Sequence, residues 1–151
     1  MSDTPAPPGA VVLLHHYVRD MSFEHPDAPY SFKDAHEAKP LVDVQVTYRQ
    51  LDAHTFETQL TITASAKRED MVVAVIELSY AGTYRLPAIP HELREVFLMV
   101  EAPRELFPFA RALIGLVTMQ AGIPPLLIVA PNFQDTYRRM NEDRLKSEGA
   151  I

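Results

Sequence analysis

The chain has 151 residues, of which 47% are hydrophobic. This length and composition predict one folded domain and exclude a disordered chain. The formal net charge of -6 argues against nucleic acid as a main partner and favours basic partners. Cysteine is absent, which excludes a disulfide framework and thiolate chemistry and fits a reducing cytoplasm.

The N-terminal residues 1–10 predict a flexible, proline-rich tail. They contain no basic region before an apolar run, so we do not expect a secretory signal. No uncharged apolar stretch in the sequence reaches the roughly 18 residues of a membrane span. We therefore expect no stable insertion into a membrane.

Alternating apolar and polar residues predict four strands, at 11–24, 41–51, 55–67 and 71–81. The proline-rich loop 25–40 separates the first two, and short turns join the others, which indicates an antiparallel meander. In a regular first strand two sets of side chains would face opposite ways. One set is Val11, Leu13, His15, Tyr17, Arg19, Met21 and Phe23, and the other is Val12, Leu14, His16, Val18, Asp20 and Ser22.

Two helices are predicted after the strands, at 104–121 and from 134 to about 146, and a short helical turn at 91–100. The longer helix has no charged residue over 112–121, whereas a surface helix exposes a polar face. We infer that a second subunit covers it, which predicts a homo-oligomer. A membrane-surface helix, the rival explanation, would need basic residues along a polar face.

Motifs for catalysis or metal binding are not found in the sequence. His15 and His16 point to opposite faces of a strand, and no histidine pair has the helical spacing of a zinc site. Asp20 and Glu24 are four apart on a strand, about 13 Å, too far for a glycosidase pair. No nucleophile elbow or glycine-rich phosphate loop is present. We expect no enzyme, no metal and no cofactor.

Acidic and aromatic residues are the remaining functional candidates. Asp20, Glu24 and Glu77 would form an exposed acidic patch if the first and fourth strands are neighbours, although ordinary solvated charge explains them equally well. Phe23, Tyr30 and Phe32 flank the proline-rich loop. They either cover the core or line an apolar groove for extended peptide segments.

Two motifs, Ser-Phe-Glu-x-Pro-x-Ala-Pro at 22–29 and Leu-Phe-Pro-aromatic-Ala-Arg at 106–111, carry a family resemblance. With Thr63-Ala-Ser65 and the segment 122–133, they occur in the order and at nearly the spacing of the SecB family. The chain resembles this family of cytosolic bacterial export chaperones over roughly residues 11–140.

The resemblance implies an α+β fold with a four-stranded antiparallel sheet followed by two helices, packed as a dimer of dimers. It divides the chain into the tail 1–10, a chaperone domain 11–140 and a short C-terminal tail 141–151. It also implies a cytoplasmic, ATP-independent holdase that binds unfolded preproteins and delivers them to SecA. The resemblance further implies that a longer tail, where a family member has one, gives a second SecA contact.

The resemblance also assigns residues to three surfaces. The SecA-binding residues would be Asp20, Glu24, Val75 and Glu77. The client-peptide groove would contain Phe23, Tyr30, Phe32, Val42 and Val44. The subunit contact would use Ile76 and Leu78, together with Leu113, Leu116 and Val117 of the uncharged helix.

Two alternatives to a general export chaperone stay open. One is a SecB-like chaperone dedicated to an antitoxin or another single client. The other is a small-molecule or lipid-binding module that uses the same apolar groove, and a closed apolar pocket would favour it.

Overall fold

The computed structural model describes residues 9–149, and nearly all of the predicted tail 1–10 lies outside this range. The chain forms one antiparallel sheet with helices packed on one face. We call this covered face the inner face and the opposite one the outer face. The strands are β1 Val12–Glu24, β2 Lys39–Gln50, β3 Thr55–Arg68 and β4 Met71–Arg85.

The strand order in the sheet is β1-β4-β3-β2. The predicted meander is therefore right for β2 to β4, whereas β1 lies beside β4 instead of β2. The loop between β1 and β2 contains two short 3-10 turns, Tyr30–Phe32 and Ala35–Glu37. This order makes the first and fourth strands neighbours, as the predicted acidic patch requires.

The core lies between the inner face and the long helix. Alternate residues of β3 and β4 such as Leu60 and Ile62 are fully buried there, which agrees with the period-two pattern. Gly82 lies at a close approach of helix and sheet, because a Cβ at this position would lie 2.8 Å from Cδ2 of Leu106. This glycine lets the helix pack directly on β4.

Two β-bulges interrupt β1, at Leu14 and at Arg19. Tyr17 pairs with Ala81 and stays on the outer face, whereas Phe23 pairs with Ile76 on the inner face. The predicted assignment of Tyr17, Arg19 and Phe23 to one face is therefore wrong. Each bulge adds one residue and so reverses the alternation of the side chains that follow it.

The helical region begins where it was predicted but is more continuous. Helix α1, His91–Val96, continues through a π-helical segment, Phe97–Glu101, into α2, Ala102–Gln120. The predicted short turn and long helix are thus one uninterrupted helical stretch. Helix α3 spans Phe133–Gly149, so most of the predicted tail 141–151 is helical.

Among residues 9–149, no helix is both long and apolar enough to cross a membrane.

Candidate functional site

The acidic residues of the predicted patch lie together on the outer face. Asp20 pairs with Ser79 and Glu24 pairs with Val75, so Glu77 lies diagonally between them on the neighbouring strand. Diagonal neighbours in a sheet are about 7–8 Å apart. All three carboxylates are exposed. We call Asp20, Glu24, Val75 and Glu77 the acidic patch.

The residues beside the acidic patch are small and polar. Ser22, Glu77 and Thr63 lie in one row across β1, β4 and β3, and Asp20, Ser79 and Thr61 lie in the next. This part of the outer face therefore presents carboxylates and hydroxyl groups without large side chains between them. Such a surface suits a partner with complementary basic groups.

A buried carboxylate stabilises the other end of the outer face. Glu57 of β3 accepts hydrogen bonds from Arg19 Nη1 at 2.8 Å, from Arg49 Nε at 2.9 Å and from the Tyr17 hydroxyl. Burial alone would raise the pKa of Glu57, but the hydrogen bonds from Tyr17 and Arg49 and the charges of both arginines outweigh it and lower this pKa. The side chain is therefore ionised at neutral pH and joins β1, β3 and β2.

Apolar side chains are exposed where the loop after β1 meets the loop after α2. Leu127 and Val129 are 79% and 85% exposed, whereas Leu126 and Ile128 between them are buried. This alternation is typical of an extended segment with one face on the core. A cavity of about 130 Å³ lies beside them, between the two loops and the ends of β3 and β4. It is lined by Ala35, His36, Ala38, Pro40, Ala66, Val73, Ile123, Pro124, Pro125, Leu126 and Leu127.

Aromatic residues of the first loop continue this apolar surface. Tyr30 is 80% exposed, and Phe32 packs its edge against Gly122 of the second loop. The rings of Phe23 and Phe32 both contact His25, at centroid distances of 6.4 and 5.0 Å. We call the exposed residues Tyr30, Phe32, Leu127 and Val129 the apolar strip.

The helix α2 has a second exposed apolar surface. Leu116 and Met119 are 50% and 54% exposed, on the side opposite the fully buried Ile114. Two turns before Leu116, Phe109 lies over His16 of β1, with ring centroids 4.4 Å apart. This stripe is therefore continuous with β1 at the edge of the sheet.

Comparison with known protein families identifies a family with a matching sequence. The family model described as "Preprotein translocase subunit SecB" matches residues 5–144. The chain belongs to the SecB family. The chain is 42% identical to the protein-export protein SecB of Rhodospirillum centenum, over 85% of this chain and 78% of that protein. It is 40% identical to that of Maricaulis maris, over 83% and 74% of the two chains.

Among solved structures, the fold matches a SecB-like chaperone of Mycobacterium tuberculosis, determined in complex with a ChAD peptide from the HigA1 antitoxin. The TM-score is 0.69, and the alignment covers 80% of this chain and 90% of that one. Sequence identity is 13%, so this likeness concerns the fold alone. The predicted sheet followed by helices is the SecB fold, and the prediction of fold and family is confirmed.

Ile76 and Leu78, which were predicted for the subunit contact, are 0% exposed and lie in the hydrophobic core of the single chain. Their contact with a second subunit stays a prediction. Leu113 and Val117 are half-buried against the same core, and Leu116 is the most exposed of the three predicted helix residues.

The residues predicted for the SecB client groove are only partly brought together. Val42 and Val44 face inward from β2 and pack on the core, two and four residues after Pro40 of the cavity wall. Leu127 and Val129 were not among the residues predicted from the sequence. Their alternation with buried neighbours after Pro124-Pro125 is the pattern that identifies them.

Two further features lie outside the predicted surfaces. The side chains of Asp34, His36 and Glu37 place ligand atoms within 4.8 Å of one another, an arrangement that the sequence analysis did not expect. Asp34 also pairs with Arg68 at 3.6 Å, and His36 and Glu37 are exposed, so this group is a solvated loop cluster. A cavity of about 390 Å³ lies between the π-helical segment and α3, with Val100, Tyr137 and Leu145 beside several polar side chains.

Proposed function

We propose that this chain is an ATP-independent holdase that binds unfolded preproteins, keeps them competent for translocation and delivers them to SecA. The main support for this function is that the apolar strip and the acidic patch are separate surfaces. The apolar strip lies beside the helices, and the acidic patch lies on the outer face of the sheet. A client on the first surface leaves the second free for SecA.

The apolar strip suits unfolded chains of varied sequence. Tyr30 and Phe32 offer aromatic rings, and Leu127 and Val129 offer aliphatic groups, without a set of buried polar groups that would select one ligand. Binding of the unfolded state opposes folding by mass action. It also covers apolar segments that would otherwise aggregate.

The acidic patch supports docking of a basic surface. Three exposed carboxylates within one small area raise the rate of encounter with a cationic partner and fix its orientation. The name of the family model, a preprotein translocase subunit, directs the choice of SecA as that partner. The proposal gives the chain no catalytic step and no bound nucleotide or metal.

The assembly we propose is a cytoplasmic homotetramer built as a dimer of dimers. The exposed stripe of Phe109, Leu116 and Met119 supports it, because a second copy would remove these apolar groups from water. Several apolar strips on one assembly would raise the apparent affinity for a long client by roughly 10²–10⁴-fold where geometry allows simultaneous contact.

A chaperone dedicated to one antitoxin is the second candidate. It is favoured by the fold match to a SecB-like chaperone in complex with an antitoxin peptide. The two candidates differ in client range and in SecA binding. A dedicated chaperone would hold its own antitoxin and would leave unrelated preproteins to aggregate.

Light scattering of a diluted, unfolded preprotein tests the proposal. We expect the parent chain to suppress aggregation and Leu127→Ser to suppress it less, because the substitution removes an exposed apolar contact. Leu93→Ser is the matched control, since Leu93 is 60% exposed on α1, away from the apolar strip. If the parent and Leu127→Ser suppressed aggregation equally, the apolar strip would not be the client-binding site.

A further inference from the structure

The acidic patch depends on an extra residue in β1. Val18 pairs with Tyr80 and Asp20 pairs with Ser79, so Arg19 has no partner of its own across the β1–β4 ladder. Arg19 and Asp20 consequently both lie on the outer face. A bulge of this kind reverses the alternation of every following side chain.

The reversal decides which way the carboxylates face. Tyr17 is on the outer face, and regular alternation from there would put Arg19, Met21 and Phe23 outward. Asp20 and Glu24 would then face the inner side. With the bulge in place, Asp20 and Glu24 instead share the outer face with Glu77.

Glu57 contacts a residue before the bulge and the extra residue of the bulge itself. Its carboxylate accepts one hydrogen bond from Tyr17, just before the bulge, and one from Arg19, the extra residue itself. The side chains of Tyr17 and Arg19 both extend across β4 to reach Glu57. They cross it near the small residue Ala81, which pairs with Tyr17. Because Glu57 is buried on β3, it provides a fixed point for the outward direction of Arg19.

We propose that Glu57 is a positioning residue that holds Arg19 in the bulge and so places Asp20 and Glu24 on the docking surface. This inference rests on the proposed docking of SecA to the acidic patch. Glu57 itself lies away from the patch, four residues along β3 from Thr61, which pairs with Ser79 beside Asp20. It acts through the geometry of β1.

The key experiment compares Glu57→Gln with the same substitution in a chain that lacks residue 19. Glu57→Gln keeps the size of the side chain and removes the charge that holds Arg19. We expect it to weaken SecA binding by about tenfold, as the loss of well-placed interfacial charges does. Deletion of Arg19 lets Val18 and Asp20 keep their partners in a regular strand. We therefore expect the deletion to restore binding to within about twofold of the parent.

A second readout follows the direction of the side chains in the folded protein. The chain has no cysteine, so single cysteines can be placed at Ser22, on the outer face, and at Phe23, on the inner face. In the parent we expect thiol labelling at position 22 to be about tenfold faster than at position 23. In Glu57→Gln we expect this ratio to fall towards one, and the deletion to restore it.

The outcomes separate this inference from the proposed function. Glu77→Lys is the reference, and Glu92→Gln on α1 is the control for loss of a glutamate elsewhere. If Glu77→Lys weakens SecA binding and Glu57→Gln leaves binding and labelling unchanged, the positioning role is wrong. The positioning role is also wrong if Glu57→Gln weakens SecA binding, the deletion of Arg19 does not restore it, and the labelling ratio is unchanged. If Glu77→Lys has no effect, the docking surface fails, and the labelling ratio alone decides whether Glu57 sets the direction of β1.

Discussion

The guanidinium of Arg19 lies 2.8 Å from the carboxylate of Glu57, although β4 runs between the strands that carry them. Arg49 reaches the same carboxylate oxygen from β2 at 2.9 Å. The contacts therefore link three strands around one buried anion. Removing the carboxylate would take the shared acceptor from Tyr17, Arg19 and Arg49, whereas removing one arginine would leave Glu57 paired with the remaining donors.

Stability in acid should depend on Glu57. Its pKa is lowered in the folded state from an ordinary value of 4.5, so its ionised form stabilises the fold above that value. This contribution is lost as the pH falls through the lowered pKa. We expect Glu57→Gln to cost about 1–3 kcal/mol at pH 7 and progressively less below pH 4.5.

Urea unfolding at equal protein concentration, repeated from pH 7 to pH 3, measures this difference. Glu92→Gln, an exposed residue on α1, is the control. A gap between the parent and Glu57→Gln that stays constant over the whole range would show that the ionised carboxylate is not the source of the stability.

Reversal of one charge in the acidic patch should separate docking from client holding. We expect Glu77→Lys to weaken SecA binding about tenfold, because Glu77 lies diagonally between two other carboxylates. The loss should shrink at high salt, where exposed charges are screened. Client holding should be unchanged, since the apolar strip lies on the other side of the sheet.

Titration with SecA at low and high salt checks this result. Glu92→Lys gives the same change of net charge at an exposed position of α1. Equal SecA affinity for the parent and Glu77→Lys, with the oligomer intact, would remove the acidic patch from the docking surface.

A charge on the exposed stripe of α2 should break the oligomer. Leu116 is half exposed, so Leu116→Glu is tolerated by a single chain but would bury an unpaired charge between subunits. Leu113→Glu should also dissociate the assembly, but Leu113 packs partly on its own core, so that variant should lose stability as well. Sedimentation gives the mass of each variant, with Leu93→Glu as the control. A Leu116→Glu protein with the mass of the parent would contradict the assembly.

The loop that carries Leu127 should depend on one buried hydroxyl. The amide of Leu126 donates to Oγ1 of Thr118 at 3.0 Å, and this hydroxyl donates to the carbonyl of Ile114 at 2.9 Å. Thr118→Val leaves the buried amide without its acceptor, at a cost of about 1–3 kcal/mol. We expect faster hydrogen exchange at Leu126 and weaker client binding.

Thr47→Val is the control for this substitution, because Thr47 is exposed on β2. Unchanged exchange at Leu126 in Thr118→Val would show that the hydroxyl does not hold the loop.

Much of the fold follows from local pattern. The alternation of apolar and polar residues in 55–67, interrupted at Thr58, predicts β3, and the structure extends it by one residue to Arg68. The uncharged stretch 112–121 predicts a helix, and the structure places all of it except Ala121 in α2, with Leu116 and Met119 exposed in the single chain. Both signals arise because one face of the element is buried, which fixes the residue types at regular intervals.

The departures from prediction come from contacts between distant residues. The side chain of Arg19, the extra residue of the bulge, hydrogen-bonds to Glu57, which is 38 positions away in the sequence. No window around β1 contains that information. Likewise, Ile76 and Leu78 have the composition of an interface or of a core, and only the position of α2 above β4 identifies them as core.

The formation of a ternary complex is the most direct test that holding and docking use separate surfaces. An unfolded preprotein, this chain and SecA would be mixed, and the masses of the complexes measured by size exclusion with light scattering. We expect a ternary complex for the parent, a client complex without SecA for Glu77→Lys, and weakened client retention with intact SecA binding for Leu127→Ser. Displacement of the client by SecA at equilibrium in the parent, or loss of both partners in either variant, would contradict these expectations.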